Sequence, residues 1–537
     1  MLSSINRRRL FAAGVSLGAA SALPLSRAFA ANDAAALHFD PAFIDAEAER
    51  MRQAFDVPGF GVAIVGAGPE PWVKGYGVRA MGKPELIDAH TRFAIASNSK
   101  AYTAAAMSIL VDEGKVGWDE PVVKYLPEFK MYDPMVTQMM TVRDLLCHRS
   151  GLALGAGDLL FFPDTTHTAD DALKALQYLK PARPFRGGYA YDNILYTVAG
   201  VLIARVTGKS WSDFVAERLL APIGETDAVP NLDRLHTDNV AGRHDQRQGN
   251  MMGIGTLVTV RPVGEHNEAI APAGGINASA TDQARWLMTQ LAKGKAPSGA
   301  RIWSEKQADE MWKPQVVTNA SDGPSPEDPS RPVLQAYALG WFIQDYRGER
   351  LVNHSGGLIG QVTQTAMIPR RGLGVVVFSN CEGAGSAMLR NVILDHLLGA
   401  PKTDWAALGK ARIEKMQAQI LAASDHSIDT APAGGPSLPL DAYVGRYRDA
   451  WYGDVVVTRA GADLAISFIP TPGFKSVLEP WGPDAFRTRF PKEAGGEDAL
   501  ITFVPKDGKI VEVTMKPFSP LADFSFDFQH LDFKPVA

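Results

Sequence analysis

Ser97, Asn98, Ser99 and Lys100 form a Ser-x-x-Lys spacing, which occurs once in the 537-residue chain. Residues three apart share a helix face, so the lysine amine can reach the serine hydroxyl. A serine is a weak nucleophile until a base takes its proton, and lysine becomes such a base when burial or cationic neighbours lower its pKa. A helix N-terminus at the same point adds N–H groups and partial positive charge for a developing oxyanion. The spacing alone is a weak signal, since a chain of this length holds on the order of one by chance. Read blandly, Ser97 caps a helix and Lys100 is solvated. Two further groups supply what the pair lacks. Tyr191-Asp192-Asn193 follows the turn Arg186-Gly187-Gly188 and opens an apolar helix, where a phenol can relay protons and a side-chain amide can bind a carbonyl. His354-Ser355-Gly356-Gly357 lies between two strand patterns, and glycine there lets a substrate backbone come close to a strand edge. In isolation the first reads as a helix cap and the second as a tight turn.

The elements that must position these groups run from about Pro41 to Leu398. Gly59–Val65 and Trp72–Val78 are short apolar runs bounded by glycine and read as adjacent strands. The spacing predicts helices over Ser97–Glu113, Asn193–Val206, Ser210–Leu220 and from Thr281-Asp282 to Leu291, with Gly114 and Gly208 as stops. Thr141 to Asp144 carries a capping-box pattern before a short helix ending near Cys147. Strands follow over Gln335–Tyr346, Arg350–His354, Gly360–Ile368 and Gly374–Ser379, then a helix over Ala384–Leu398. Strands at both ends of the region imply one shared sheet beside an all-helical insert, an α+β arrangement. A helix over Asp404–Ala423 and a Pro/Gly/Ser-rich linker over Ser427–Leu440 lead to six short strand patterns at roughly ten-residue spacing, the mark of an antiparallel β-barrel or sandwich. The expected division is therefore a leader at 1–30, the α+β domain at 31–400, helix and linker at 401–437, and a β-barrel at 438–537.

Composition removes several classes. Hydrophobic residues make up 46% and charged residues 21%, which excludes a mainly disordered or collagen-like chain. The net charge is −5 and no basic, aromatic-laced stretch occurs, so nucleic acid is not an expected partner. Two cysteines, Cys147 and Cys381, are too few for a disulfide scaffold, and no Cys/His cluster points to a metal. Arg7-Arg8-Arg9 precede Leu10-Phe11, an apolar run and Ala28-Phe29-Ala30. That order is an export signal cut after Ala30, with a twin-arginine character that an ordinary Sec signal rivals. Its apolar run is shorter than the ~20 residues of a membrane span. Removing four arginines and no acids with it takes the formal charge from −5 to −9.

Together, Ser97-x-x-Lys100, Tyr191-x-Asn193 and His354-x-Gly356, in that order, resemble the serine β-lactamases, penicillin-binding proteins and their relatives. Leu145 to Leu152 and Pro272-Ala273-Gly274-Gly275 look like the class C branch. Relatives usually read Leu-Leu-Thr-His-Thr-Ser-Gly-Leu in the first segment, so Cys147 and Arg149 are departures. The resemblance covers about 40–400. It implies a β-lactamase/transpeptidase-like fold with Ser97 as acylated nucleophile, Lys100 as its base and Tyr191 as proton shuttle. Asn193, His354, Ser355 and Gly356 would bind substrate, and the backbone N–H groups of Ser97 and Gly357 would form the oxyanion hole. No metal or organic cofactor is implied. His354 stands where efficient β-lactamases of this branch carry lysine, and a histidine only partly charged near neutrality is a poorer partner for a drug carboxylate. Leu440 to Tyr447 looks like the start of the lipocalin-like domain attached to some S12-type peptidases.

The expectation is an exported serine hydrolase acting through an acyl-enzyme on esters, small amides or D-amino-acid peptides, with no stable membrane span. A D,D-carboxypeptidase or weak penicillin-recognising enzyme is the alternative within the class. A non-catalytic ligand-binding or scaffold protein is the alternative outside it, and homo-oligomers are compatible with each. Cys147 reads as packed, His148 as the partner of a local backbone group, and the tryptophans Trp286, Trp303, Trp312, Trp341 and Trp451 as core or cleft wall. Phe161-Phe162 and Met251-Met252 read as loops at the mouth of a cleft.

Overall fold

Strand β1 (Gly59–Val65) is buried at every residue, as expected of a strand covered on both faces. It pairs antiparallel with β2 (Trp72–Gly77) on one side and with the last strand of its sheet, Leu373–Ser379, on the other. The computed structural model describes residues 37–68, 70–248, 251–252, 255–424, 431–491, 496–519 and 522–536. The leader read at 1–30 and part of the linker lie outside them. The remaining strands of the sheet are β3 (Val316–Ala320), β4 (Leu334–Tyr337), β5 (Phe342–Tyr346), β6 (Glu349–Leu358), β7 (Gln361–Ile368) and β8 (Leu373–Ser379). Their order is β2-β1-β8-β7-β6-β5-β4-β3, so N- and C-terminal strands do share one sheet. The single run read over Gln335–Tyr346 is two strands, β4 and β5, separated by a turn through Gly340, whose φ is +76°.

Helix α1 (Pro41–Ala54) was not evident from the apolar pattern, because only Ile44, Ala48 and Met51 are buried along it. Its start is set locally: Asp40 accepts from Ala42 N and Phe43 N, and Pro41 holds the first position, where a missing N–H costs nothing. With α5 (Gly385–Leu397) and α6 (Trp405–Ser424) it belongs to the core on one face, together with Phe60, Val62 and Ile64 of β1. Ala63 and Val65 turn to the other face and join the core that includes α2 (Ser99–Asp112), α3 (Ile194–Thr207) and α4 (Ala280–Leu291). Helix α4 starts one residue earlier than read. Its cap is Ser279, which accepts from Asp282 N while Asp282 accepts back from Ser279 N.

The insert between β2 and β3 is not purely helical. It carries a two-stranded ladder, Phe93–Ala94 with Asn277–Ala278, and a three-stranded sheet over Arg243–Gln248, Met251–Met252 and Thr256–Val260. Met251-Met252 is thus a strand rather than a loop. The strand Arg243–Gln248 escapes a hydropathy reading because its buried residues are Arg243, His244 and Asp245, with Arg243 paired to buried Glu265.

The segment predicted to begin with a Thr141 cap is a 3-10 turn, Arg143–Leu146. Here Asp144 is the acceptor, taking hydrogen bonds from Thr141 N and Oγ1 and from Arg149 and Arg186. Burial alone would raise the Asp144 carboxyl; the donors from Arg186 and Thr141 hold it below its usual value. The departure at Arg149 is therefore one arm of a buried ion cluster. Cys147 and Cys381 are both free and buried, and burial pushes each thiol up to about 12.

Beyond α6, eight strands close into an antiparallel barrel: β9 (Gly445–Asp449), β10 (Gly453–Ala460), β11 (Asp463–Phe468), β12 (Lys475–Pro480), β13 (Ala485–Arg487), β14 (Ala499–Lys506), β15 (Lys509–Pro517) and β16 (Asp532–Pro535). Strands β9 and β16, absent from the sequence reading, are the pair that closes it. Phe503 lies within 5.9 Å of the rings of Tyr443, Tyr447 and Phe486, centroid to centroid. Phe503→Ala is expected to cost about 3–5 kcal/mol, measurable as a lowered urea midpoint for the barrel; a cost under ~1 kcal/mol would contradict a tightly packed barrel core.

Candidate active site

Ser97 sits on a 3-10 turn, Ala96–Asn98, which feeds directly into α2. Its side chain does not cap the helix. The preceding Ala96 has φ +49°, a left-handed conformation that costs a non-glycine residue on the order of 1 kcal/mol or more. Neighbours hold the turn in place. Ile95 N donates to Ile276 O at 2.9 Å, Thr363 Oγ1 donates to Ile95 O at 3.0 Å, and Asn98 Nδ2 donates to Thr363 Oγ1 at 2.8 Å. Strand β6 passes so close that a Cβ on Gly356 would lie 2.2 Å from Ile95 O. Gly356 therefore buttresses the turn from behind and does not line the cavity.

Lys100, on the first turn of α2, is fully buried. Its Nζ lies 3.1 Å from Ser97 Oγ and donates to Asn193 Oδ1 and to Ala273 O, both at 2.8 Å. The rings of Tyr191 and Tyr196 lie 4.7 and 5.3 Å from it. Desolvation lowers the amine to about 7, against the opposing pull of Asp158 and Asp192. A neutral amine has two hydrogens and one lone pair. With Asn193 Oδ1 and Ala273 O taking the hydrogens, the lone pair is left for Ser97 Oγ. Tyr191 Oη donates to the same oxygen at 2.7 Å. Burial lifts that phenol well above its ordinary value, so it is a protonated donor at neutral pH.

Asn193 ends the segment before α3, and its Nδ2 donates to Asp158 Oδ2 at 2.9 Å. His148, which has φ +56° and is buried, accepts from Asp192 N at 3.2 Å and packs its ring 4.2 Å from that of Tyr191. It shapes the Tyr191 segment, as a local partner should.

His354 is not partly charged. Burial, then the nearby Lys100, lower it to about 3. Its Nδ1 faces Ser355 O and its Nε2 faces Tyr337 Oη at 3.0 Å. The network therefore assigns an Nδ1–H that donates to the carbonyl and an Nε2 that accepts from the phenol. Both nitrogens are occupied, and no cation is presented at this position.

Ser97, Tyr191, Asn193, His354, Ser355 and Gly357 all line one cavity of 440 Å³. Its walls include Phe162, Phe342, Leu358, Ile359, Phe524 and Phe526. Phe161, by contrast, is packed in the core. Sequence reasoning missed Asp158, the Ala273 carbonyl and the barrel residues Phe524 to Phe526. A carbonyl leaves no residue-type signal, and nothing local marks Phe524 to Phe526 as neighbours of Ser97. The arrangement can deprotonate a serine next to a chamber that is aromatic and aliphatic on one part of its wall and carries Arg247, Glu382 and Asp523 on another.

Helices packed on an antiparallel sheet, with this Ser–Lys–Tyr cluster against its interior strands β6 and β7, define a serine hydrolase of the penicillin-recognising fold. The Beta-lactamase family matches residues 44–399, and the chain belongs to it. Residues 430–535 match a Domain of unknown function (DUF3471). An unguisins hydrolase of Aspergillus campestris is 31% identical over 434 residues, covering 76% of this chain and 77% of that protein. The octameric penicillin-binding protein homologue from Pyrococcus abyssi superposes with a TM-score of 0.57 at 20% identity, over 92% of this chain and 100% of that one. The D-amino acid amidase from Ochrobactrum anthropi gives 0.52 at 22% identity, over 66% and 98%. Among the described residues, no helix is long and apolar enough to cross a membrane.

Gly356→Ala tests the buttress. The added methyl must displace the Ile95 carbonyl and with it the Ser97 turn. A loss of fluorophosphonate labelling of about 100-fold or more is expected, far beyond what a small drop in Tm explains. Labelling at the wild-type rate would mean the turn does not depend on this approach.

Proposed function

We propose that this serine hydrolase acylates itself on Ser97 and acts on esters or on small amides and D-amino-acid peptides that lack a carboxylate at the His354 side. The observation that carries the reading is the geometry of the buried Lys100 amine, whose Nζ has Asn193 Oδ1 and Ala273 O at 2.8 Å and Ser97 Oγ at 3.1 Å, with desolvation lowering it to about 7. Lys100 takes the Ser97 proton as Oγ attacks the carbonyl, forming the C–O bond. The oxyanion is held by the N–H groups of Ser97 and Gly357. Collapse breaks the bond to the leaving group, which receives the proton from Lys100 by way of Tyr191. Water then repeats the sequence on the ester, releasing the acid and restoring Ser97.

The substrate class follows from charge and surface. An uncharged His354 supplies no fixed partner for a carboxylate on its side of the cavity, and Arg247, also in the lining, is already paired with Asp245 at 2.8 Å, which disfavours both penicillins and D-Ala-D-Ala termini. The aromatic and aliphatic walls favour an apolar acyl or leaving group. Hydrolase and amidase activities named for the similar proteins agree with this class.

Intact mass after fluorophosphonate treatment should show one adduct, absent in Ser97→Ala; no adduct on folded wild type would overturn the acyl-enzyme reading. In a panel of p-nitrophenyl acetate, D-alanine p-nitroanilide and nitrocefin, the first two should have the higher kcat/KM. Nitrocefin as the best substrate would reverse the assignment. The base works only when deprotonated, so the pH profile has a defined sign. Acylation should be slow below about 7, rise about tenfold per pH unit and level off above it. A rate independent of pH from 5 to 9 would exclude Lys100 as the base.

A further inference from the structure

The carbonyl of Asn193 faces Lys100 only if the amide is held in one of two orientations that differ little in shape. Turned over, Asn193 would present its NH₂ to the amine, and the Lys100 lone pair would be drawn to that donor and away from Ser97. The orientation is decided on the far side of the amide. Asp158 Oδ2 accepts from Asn193 Nδ2 at 2.9 Å and from Ser525 Oγ at 2.9 Å. With two donors already on Oδ2, that oxygen has no room for a proton. Asp158 Oδ1 is buried and has no hydrogen-bond partner among the described residues. Burial and the neighbouring Asp527 raise the Asp158 carboxyl well above its usual value; whether ionised or protonated at the unpartnered Oδ1, the group keeps Oδ2 as the acceptor of both donors.

Ser525 comes from the barrel, between β15 and β16, and lies 367 residues from Asp158 in the chain. The same segment grips both flanks of Asp158. Asp527 accepts from Gly157 N at 2.7 Å and from Leu159 N at 3.1 Å, and is itself held by His530 Nδ1 at 2.9 Å. Phe524 runs so close that a Cβ on Gly155 would lie 2.6 Å from its carbonyl oxygen.

We propose that Asp158 and Ser525 are positioning residues for the reaction: the barrel fixes the polarity of the Asn193 amide and so aims the Lys100 lone pair at Ser97. A single directed chain results. The Ser525 hydroxyl and the Asn193 NH₂ donate to Asp158, the Asn193 carbonyl accepts from Lys100, and Lys100 accepts from Ser97. The barrel is on this account part of the catalytic centre, although among the described residues none of its side chains hydrogen-bonds Ser97, Lys100 or Tyr191. The inference rests on the acyl-enzyme reading above.

The test is the rate of fluorophosphonate labelling and the steady-state kinetics with p-nitrophenyl acetate, on the full chain. Asp158→Ala is expected to lower kcat and labelling by about 10–100-fold with little change in KM. Ser525→Ala, which removes one donor, should lower both by about three- to tenfold, with an unchanged Tm. Asp158→Asn keeps an acceptor oxygen at the Oδ2 position and should recover most of the rate lost in Asp158→Ala. Ser525→Ala at the wild-type rate, or Asp158→Asn as slow as Asp158→Ala, overturns the inference. A reduced rate that appears wholly in KM overturns it as well. If Asp158→Ala does not fold, the other two variants decide. Failure to label folded wild type would instead sink the acyl-enzyme reading, so the two failures are distinguishable.

Discussion

An amine buried without a counter-ion in direct contact is the constraint on which this structure turns. Placing an ammonium where Lys100 sits would be costly, so desolvation brings the group close to neutrality at physiological pH. A neutral amine in a dry site is useful only if its lone pair is aimed. Two acceptors from unrelated parts of the chain, Asn193 Oδ1 and Ala273 O, impose that aim. The left-handed Ala96, the close pass of Gly356 and the hydrogen bonds around Ile95 then bring Ser97 to the one direction left open. Strain at Ala96 is tolerated because the surrounding sheet over-determines the turn.

The barrel meets this centre through polar contacts of defined direction as well as through its aromatic side chains. A closed antiparallel barrel leaves no free edge, and its rigidity allows one connecting segment to be held at a fixed height against another domain. That segment delivers Ser525 and Asp527 to the turn around Asp158, and Phe524 and Phe526 to the cavity wall. Carboxylates that accept backbone N–H groups, as Asp527 does, are well suited to such docking because they fix position without requiring a matching apolar surface. The contact between Pro470 O and Thr165 and Thr166 anchors a second point of the same interface.

His354 presents no charge to the cavity, which Arg247 also lines. A lysine there is a permanent cation, while His354 is kept neutral by burial and has both nitrogens engaged by Ser355 O and Tyr337 Oη. The aromatic rings around it, Tyr337 and Phe342, have centroids within 5.7 Å of the imidazole.

Much was legible in the chain itself. Runs such as Gly59–Val65 and Asp463–Phe468 declare strands because apolar or alternating residues are bounded by turn formers, and β1 and β11 have those bounds. Ser-x-x-Lys, Tyr-x-Asn and His-x-Gly single out Ser97, Lys100, Tyr191, Asn193 and His354, which the structure gathers around one cavity, because such motifs depend on residue type and local spacing. Elements held by buried charge, such as the strand Arg243–Gln248, carry no such pattern, and the short closing strands of the barrel are defined only by their partners. Three decisions belonged to the tertiary structure alone: the neutrality of His354, the partners that surround the Lys100 amine, and the link from Ser525 through Asp158 to Asn193. Each depends on desolvation or on the polarity of a hydrogen bond between residues far apart in sequence. Spacing determines which groups can share a helix face, but only packing determines how dry that face is and which way its donors point.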